Sequence, residues 1–368
     1  MSEWSSQPLA DAIELIGGGT PKTSNPEFWN GDIPWLSVVD FNTGRKFVSD
    51  AEKKITQKGL DSSSTKLLNK GDIIISARGT VGAMAVLDKP MTFNQSCYGV
   101  RGIKGKSITD YIYYLLKEKI AELSQISHGG VFDTITRDTF KEINASLPPL
   151  PEQKAIASVL SSLDDKIDLL HRQNKTLEAM AETLFRQWFV EEAQGNWEAG
   201  TLGNVVDFNY GKTLKDQERS GSGYPVVGSS GVVGFHKDYL VEAPGIVTGR
   251  KGTLGVVNYF FDNFFPIDTT FYMTSKIQSD GLFYEYLLLK SVGLGDMNSD
   301  SAVPGLNRNA AHAIPVTIPP SELVSNFNNF CKPTFAKINT NTCQIRTLKT
   351  LRDTLLPKLM SGEVRVRA

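Results

Sequence analysis

The sequence predicts an α/β (α+β) protein with two globular units in tandem, separated by a pair of long helices that form an antiparallel coiled coil. Three observations support this fold class. The chain of 368 residues contains an internal repeat, each half ends in a long stretch with heptad spacing, and each half begins with short strand-like runs broken by Gly, Pro and Asn. The repeat predicts an approximate internal two-fold symmetry.

The internal repeat covers both halves of the chain. A shift of 171 positions lays Ile135–Phe189 on Leu306–Met360 without a gap, and 11 of the 55 pairs are identical. Upstream, Arg78–Gly82 corresponds to Lys251–Gly255 at a shift of 173, and the openings of the two units correspond at a shift of 193. The difference, 193 − 173, means that the second unit lacks 20 residues between these landmarks. The pattern is that of a tandem duplication.

A long helix is predicted for Pro151–Glu192, which has no internal Gly or Pro and is rich in good helix formers. At 1.5 Å per residue it would be roughly 55–60 Å long, which is the length of a spacer. Apolar residues recur at alternating spacings of three and four, which is a heptad seam. The predicted seam residues are Ile156, Leu160, Leu163, Ile167, Leu170, Leu177 and Leu184 in the first helix, and Ile338, Ile345, Leu348 and Leu355 in the second.

The second long helix is predicted to be interrupted. Pro333 and Pro357 each remove a backbone hydrogen bond, so breaks are expected near both, with a continuous segment at Thr334–Leu356. Asn174 and Asn341 interrupt the two seams, and such a polar group fixes register more than it stabilises. Antiparallel pairing would give the chain a two-fold character that suits a bipartite target such as duplex DNA, with half-sites about 34 Å apart.

These patterns divide the chain into a first globular unit (1–151), a first long helix (152–195), a second globular unit (196–320) and a second helix with a C-terminal tail (321–368). Each globular unit contains one clear helix, at Ile108–Ser124 and at Gly281–Val292. The remaining signals are short strands, so each unit is expected to be a small mixed domain.

Composition and charge exclude several classes of protein. With 40% hydrophobic residues, a net charge of −1 and no apolar run that could span a bilayer, the chain is expected to be soluble and not to coat nucleic acid by bulk electrostatics. The N-terminus lacks the basic flank and apolar stretch of a secretory signal, so a cytoplasmic location is expected. No CxxC pair occurs and the four histidines have no ligand spacing, so no metal site is expected.

Motifs of the enzymes that modify DNA are absent from the sequence. Neither Pro-Pro pair lies in the Asn/Asp-Pro-Pro-Tyr/Phe motif of an adenine methyltransferase. Tyr210–Thr213 is similar to the end of a phosphate-binding loop, but Val206 stands where that motif requires an earlier glycine. We therefore expect neither methyl transfer by this chain alone nor ATP binding.

A Gly-Thr-x-Gly turn follows a strand-like run in each unit, and two interpretations of it stay open. In one, the glycines serve only a tight turn, because they tolerate positive φ. In the other, the basic residues beside the turn also point toward phosphates or base edges. The candidate DNA-contacting residues are Lys22, Thr23, Arg78, Thr80 and Arg101 in the first unit, and Lys212, Lys215, Arg250, Lys251 and Thr253 in the second.

Two further features have a structural and a functional interpretation. The aromatic run Tyr259–Phe265 is expected to be core packing more than a base-stacking surface. Arg137 and Arg308, matched across the repeat, are either structural or DNA-contacting.

The chain resembles the DNA-specificity subunit of type I restriction-modification systems over nearly its whole length. Three stretches carry the resemblance: the strand and turn at Gly71–Gly82, the helix entry at Leu147–Leu170 and the C-terminal stretch at Thr354–Val366. The entry to the second helix, Pro319–Phe327, departs from the pattern of the first. The resemblance implies that each globular unit is a target recognition domain for one half of a split DNA target, and that the helices set the unread spacer.

The same resemblance implies the partners. Two adenine methyltransferase subunits would bind along the helices and use S-adenosylmethionine, and restriction-translocase subunits would join with ATP and Mg²⁺. The chain itself would be non-catalytic and hold no cofactor. Two rival interpretations stay open: a tandem sugar- or peptide-binding module on a coiled coil with no DNA role, and a methyltransferase with an unrecognised motif.

Overall fold

A computed structural model describes residues 4–126, 134–193, 197–277, 280–297 and 305–366. The chain forms two compact units. Unit 1 comprises Met1–His171 and Cys343–Ala368, and unit 2 comprises Arg172–Thr342. Each unit thus joins one globular part to one half of each long helix, whereas the division predicted from the sequence gives the helices segments of their own. That finer division stays a prediction.

Unit 1 is a mixed unit that opens with short strands. Its strands are β1 (Ser5–Pro8), β2 (Ile13–Gly17), β3 (Trp29–Leu36), β4 (Phe47–Val48), β5 (Lys53–Ile55), β6 (Ile73–Ser76), β7 (Met84–Leu87), β8 (Thr92–Phe93), β9 (Cys97–Gly102) and β10 (Asn144–Leu147). Its helices are α1 (Val38–Phe41), α2 (Gln57–Asp61), α3 (Thr109–Ile126), α4 (Arg137–Glu142) and the start of α5 (Leu150–Arg186), with 3-10 turns at Leu9–Asp11 and Pro26–Phe28.

The strands of unit 1 form three sheets, in the orders β2-β9-β6-β7-β4, β5-β3-β8 and β1-β10. Strand β6 is central to the largest sheet and is buried on both faces, since Ile73 and Ile75 pack in one cluster and Ile74 in another. The first cluster joins the sheet to α3 and also contains Leu160. The helical seam is therefore part of the unit's core.

Unit 2 repeats this arrangement. Its strands are β11 (Glu198–Thr201), β12 (Val206–Tyr210), β13 (Tyr224–Gly228), β14 (Gly231–His236), β15 (Gly245–Gly249), β16 (Val257–Phe260), β17 (Phe265–Pro266), β18 (Thr270–Ser275) and β19 (Pro315–Ile318). Its helical elements are a π-helix that continues α5 (Gln187–Glu191), α6 (Leu202–Val205), α7 (Phe283–Ser291), α8 (Arg308–His312) and the start of α9 (Ser321–Met360), with 3-10 turns at Asp216–Glu218 and Leu294–Asp296.

The sheet orders confirm the duplication. The order β12-β18-β15-β16 in unit 2 matches β2-β9-β6-β7 in unit 1, β13-β17 matches β3-β8, and β11-β19 matches β1-β10. Most of the 20-residue difference lies between β3 and β6 in unit 1 and between β13 and β15 in unit 2. Unit 1 has α1, β4, β5 and α2 in this interval, whereas unit 2 has only β14. The helices predicted at Ile108–Ser124 and Gly281–Val292 are confirmed as α3 and α7.

The prediction that the second long helix breaks at its prolines is wrong. Helix α9 is continuous from Ser321 to Met360. Pro333 and Pro357 lie on its exposed face, and so do Asn329 and Asp353, the residues whose carbonyls lose their helical N–H partners. Water can bond these carbonyls, and burial of the opposite face holds the helix together through both prolines.

The two long helices pair antiparallel within each unit. In unit 1, Asp164 of α5 contacts Arg352 of α9, and further along α5 Leu170 packs with Ile345. In unit 2, Asn174 bonds Asn341, and Phe185 packs against Phe327. In both units, contacts made by residues further along α5 involve residues with lower numbers on α9. The antiparallel coiled coil is confirmed.

The predicted seam residues are buried or partly buried. Five of them are buried: Ile156, Leu160, Ile167, Leu170 and Ile345. The others are partly buried: Leu163, Leu177, Leu184, Ile338, Leu348 and Leu355. Asp164 is more deeply buried than its neighbour Leu163. Within the ranges that the structure describes, no helix has the length and apolar character of a membrane span.

Candidate nucleic-acid interface

The Gly-Thr-x-Gly turn that follows β6 has a counterpart after β15, and we name them turn 1 (77–82) and turn 2 (250–255). Gly79 and Gly82 in turn 1 have φ of +78° and +84°, and Gly252 and Gly255 in turn 2 have +85° and +79°. The predicted positive φ is confirmed. A Cβ on Gly82 would lie 2.6 Å from Cγ2 of Ile120, so side chains are excluded there by contact as well as by conformation.

Each turn is held by the segment that leads to the next short helix. The Ile135 amide donates to the Ala77 carbonyl at 2.9 Å, and the Leu306 amide donates to the Arg250 carbonyl at 2.9 Å. Arg78 also forms an isolated bridge with Thr134. Both turns are therefore fixed on rigid backbone, which is how a recognition site holds its side chains in place.

In unit 2 the segment that begins at Lys212 and turn 2 both contact the loop between β17 and β18. The Lys212 amide donates to the Pro266 carbonyl at 3.0 Å, and the Arg250 and Lys251 amides donate to the Thr269 carbonyl at 2.8 and 3.2 Å. The side chains of Lys212, Lys215, Lys251 and Thr253 are exposed. The structure thus brings the basic residues of two distant segments to the same end of the sheet.

In unit 1 the loop before β9 contacts both the Gly-Thr opening of the unit and turn 1. Thr20 bonds Gln95, and the Ala77 amide donates to the carbonyl of the adjacent Ser96 at 2.8 Å. The exposed side chains near these contacts are Lys22, Thr23, Arg78 and Thr80. The Gly-Thr opening of the unit and turn 1 therefore lie at one end of the sheet.

Arg101 differs from the other candidates. Its guanidinium makes a two-nitrogen contact with Asp72, with Nε 3.0 Å from Oδ1, and lies 3.6 Å from Glu14. The hydrogen bond that Arg101 donates to Asp72 is the largest influence on the pKa of Arg101 and raises it. The Asp72 side chain is only 8% exposed, so this pair is part of the folded unit.

Tyr210, at the end of β12, forms an exposed aromatic platform close to two arginines. Its relative exposure is 50%. The Arg250 guanidinium lies 5.3 Å and the Arg308 guanidinium 5.8 Å from the ring centroid. An exposed ring with two nearby cations combines the aromatic surface and the positive charge that proteins use to bind nucleic acid.

The residues around this platform are ordered by ion pairs. Arg308 donates to Asp207 at 2.9 Å, and the hydrogen bond from Arg308 lowers the pKa of Asp207. Arg250 donates from Nε to the Asp268 carbonyl at 3.0 Å. Burial lowers the pKa of His312, whose Nε2 accepts the Phe208 amide at 3.3 Å. Arg308 is thus a structural partner of β12 as well as a neighbour of the ring.

Unit 1 places its aromatic ring on the neighbouring strand. Gly17 pairs with Tyr98 in the same register in which Tyr210 pairs with Phe271. Arg137 lies 5.9 Å from the centroid of the partly buried Tyr98 and donates to the Leu15 carbonyl at 3.3 Å. The two units therefore present different side chains at equivalent positions.

Sequence reasoning missed Tyr210 as a surface group. In the sequence this tyrosine stands out only as part of an incomplete phosphate-loop motif. Its place at the end of an alternating strand, next to Gly211, also predicts an exposed side chain. The aromatic run Tyr259–Phe265 is packing, as expected, because Tyr259 stacks on Phe283 and Phe260 on Phe264. Among the described residues there is no group of three or more His, Cys, Asp or Glu that could hold a metal. One histidine, His128, lies outside the described residues.

Comparison with known proteins places these features in context. A family model described as the type I restriction modification DNA specificity domain matches residues 1–179 and 194–323. The chain is 29% identical to the specificity subunit of the type I restriction enzyme MjaIX of Methanocaldococcus jannaschii, over 99% of this chain and 94% of that subunit. It is 25% identical to the EcoprrI specificity subunit of Escherichia coli, over 83% of this chain and 80% of that one.

The fold is also similar to that of a solved structure. The crystal structure of the S subunit of a type I restriction-modification system from M. genitalium matches with a TM-score of 0.57 at 20% identity, covering 97% of this chain and 96% of that one. The match spans both units and the helices.

Proposed function

Because the chain belongs to the family of type I restriction-modification DNA specificity domains, we propose that it is the subunit that selects the DNA target of such a complex. Each unit would read one half of a bipartite site. The observation that carries the proposal is the duplicated end of the sheet, where a rigid turn and a second loop present basic side chains in both units. Phosphate contacts from these residues would position each unit, and base contacts would specify the sequence.

The two half-sites would differ in sequence. Unit 2 presents the exposed Tyr210 ring at a position where unit 1 has Gly17, and unit 1 has an insertion from α1 to α2. Since base readout depends on which side chains reach the groove, different side chains at equivalent places select different bases.

The chain would act without catalysing a reaction. In the proposed complex two methyltransferase subunits would use S-adenosylmethionine to modify an adenine flipped out of the duplex, and restriction subunits would use ATP and Mg²⁺. Phosphate-loop and methyltransferase motifs are absent from this sequence. We propose that the complex works in the cytoplasm and that the chain contacts double-stranded DNA, the methyltransferase and the restriction subunits.

A pair of exposed apolar residues supports two equivalent docking sites for the methyltransferase. Met180 on α5 is 55% exposed and Leu351 on α9 is 44% exposed. The repeat shift of 171 relates these two positions. One lies in unit 2 and the other in unit 1, so a partner that binds equivalent positions on the two helices would meet an apolar side chain in each unit.

The experiment that tests the function expresses the chain with its methyltransferase and maps methylated adenines across a genome. A split motif with one methylated adenine in each half supports the proposal. Scattered methylation, or the same pattern from the methyltransferase without this chain, contradicts it. Methyl transfer by the isolated chain would instead support the enzyme interpretation.

A further inference from the structure

A buried polar triad joins the long helices in unit 1. Arg352 of α9 donates from Nη1 to Oδ1 of Asp164 at 2.6 Å, and the Tyr114 hydroxyl donates to Oδ2 of the same carboxylate at 2.8 Å. The side chains of Asp164 and Arg352 are 2% and 10% exposed. Both carboxylate oxygens have a donor, so the charge is paired and hydrogen-bonded inside the core.

The counterpart layer of unit 2 is apolar. The repeat shift places Phe335 at the position of Asp164 and Ala181 at the position of Arg352. Phe335 is 2% and Ala181 1% exposed, and the Phe335 ring stacks on Phe283 with centroids 4.3 Å apart. The same place in the seam is thus ionic in one unit and aromatic in the other.

A second layer shows the inverse arrangement. In unit 2, Asn341 donates from Nδ2 to Oδ1 of Asn174 at 2.8 Å. The repeat counterparts in unit 1 are Leu170 and Ile345, which pack in one apolar cluster. Each unit therefore has one polar layer and one apolar layer, and the two units have them in opposite places.

We infer that these two layers form a pairing code that makes α5 select an α9 helix over α5 of a second copy. Since the chain is duplicated, the second half of α5 has the seam pattern of the second half of α9, and two copies of α5 could pair antiparallel. That pairing would bring Asp164 against Ala181 and Leu170 against Asn174. Every polar group of the code would then face an apolar one.

The alternative pairing of two α9 helices is excluded by the same code. It would place Arg352 against Phe335 and Asn341 against Ile345. Arg352 would keep its bond to Asp353 of the same helix but lose Asp164, and Asn341 would lose Asn174. A buried charge or amide that loses its partner disfavours the wrong assembly, and single buried polar groups are known to select partners in coiled coils in this way. The inference concerns assembly and holds whether or not the chain reads DNA.

A variant that exchanges residues between the helices tests the code. The four substitutions Arg352→Ala, Ala181→Arg, Ile345→Asn and Asn174→Ile permute the existing residues and leave composition and net charge unchanged. Two α5 helices then match, as Asp164 with Arg at 181 and Leu170 with Ile at 174, and two α9 helices match as well. We expect native mass spectrometry to show a dimer for this variant, and capture of an untagged copy by a co-expressed tagged copy to rise at least tenfold over the wild type.

The control reverses the ion pair without changing the pairing, as Asp164→Arg with Arg352→Asp. This variant should keep the mass and the low co-capture of the wild type, whereas Arg352→Ala alone should lower the melting temperature. The inference is overturned if the exchange variant keeps the wild-type mass and co-capture. It is equally overturned if the exchange variant is unfolded by circular dichroism while the reversed pair folds, because homotypic pairing would then not be available to the chain.

Discussion

Arginine side chains in the two units have two kinds of surroundings. Arg101 and Arg308 contact carboxylates within their own unit, and Arg78 lies on the exposed turn 1. Arg250 has intermediate surroundings, because it donates to a backbone carbonyl while its guanidinium lies close to the exposed Tyr210 ring. The residues best placed to meet a phosphate are therefore those at the turns.

Removing the basic pair of turn 2 should weaken DNA binding by the assembled methyltransferase. With Arg250→Ala and Lys251→Ala together, we expect lower affinity and a salt dependence reduced by about 2 in the slope of log K against log salt, since each lost phosphate contact contributes about 0.9. Fluorescence anisotropy over a salt series measures both quantities.

The matched control removes two exposed lysines away from the turns. Lys70 precedes β6, whereas turn 1 follows this strand. Lys237 follows His236, at the end of the β13–β14 pair where Tyr224 pairs with His236. The opposite end of this pair is the one that contacts the loop near turn 2, where the Val227 carbonyl accepts the Ile267 amide. With Lys70→Ala and Lys237→Ala the salt slope should stay at the wild-type value. Equal slopes for the wild type and the turn 2 variant would rule out turn 2 as a DNA contact.

Arg101→Ala should affect folding more than recognition. The substitution leaves the buried Asp72 carboxylate without its charged partner, so we expect the free energy of unfolding to fall by about 1–3 kcal/mol. Urea denaturation followed by circular dichroism measures it. Arg78→Ala, at an exposed position, should change the same quantity by less than about 0.5 kcal/mol. An equal effect of the two substitutions would contradict the structural role.

At the scale of single elements, the long helices show what a sequence pattern can and cannot predict. The heptad spacing predicts both helices and a polar group in each seam, and the structure confirms these, with Asn341 buried and bonded to the partly buried Asn174. It does not predict that Asp164 is buried beside the partly exposed Leu163, because its partners Arg352 and Tyr114 come from distant parts of the chain. Burial of a charge is decided by partners that a local pattern does not contain.

The prolines of α9 offer a test of the continuous helix. Pro333→Ala restores a donor to the Asn329 carbonyl, so we expect the free energy of unfolding to rise by about 1–3 kcal/mol. Pro320→Ala is the control, because Pro320 precedes the first residue of α9 and removes no helical bond. Differential scanning calorimetry compares the two. No gain for Pro333→Ala beyond that for Pro320→Ala would indicate a break in the helix near residue 333.

The exposed faces of the helices should determine how many methyltransferase copies bind. We expect two copies per chain in the wild type, one in Met180→Asp, one in Leu351→Asp and none in the double variant, because a carboxylate cannot be buried in an apolar contact without a partner. Native mass spectrometry of the co-purified complex counts the copies.

Lys175→Asp is the control for helix charge, since residue 175 lies roughly 140° around the helix from residue 180. It should retain both copies. Loss of both copies in either single variant would mean that the two sites are not independent.

At the scale of the whole molecule, duplication explains which features could be predicted. Counterpart strands, turns and helices follow from the repeat, and the 20-residue difference is visible in the sequence as a change of shift. The residues of the candidate DNA-contacting surface could be predicted only in part. Turn glycines have a conformational signature, whereas the Tyr210 platform depends on how three segments meet in space.

Lengthening both helices should change the spacing of the DNA target without changing its halves. One heptad inserted after His171 and one after Thr342 adds about 10 Å to the helix pair, which corresponds to about three base pairs of duplex. Methylome sequencing reads out the spacer length and the half-sites. An insertion of equal length in the exposed loop at Ser220–Gly223 should leave the spacer unchanged. Altered half-sites with an unchanged spacer would contradict the role of the helices.

The discontinuity of unit 1 has a consequence for the order of folding during synthesis. Leu356, Leu359 and Met360 lie in the same core cluster as Leu9 and Ile156, although about 200 residues of chain separate Ile156 from Leu356. Unit 2 is one continuous stretch and can close as soon as the ribosome releases it. The part of the protein that is made first is therefore completed last, and until then its apolar helix face is exposed to chaperones and proteases.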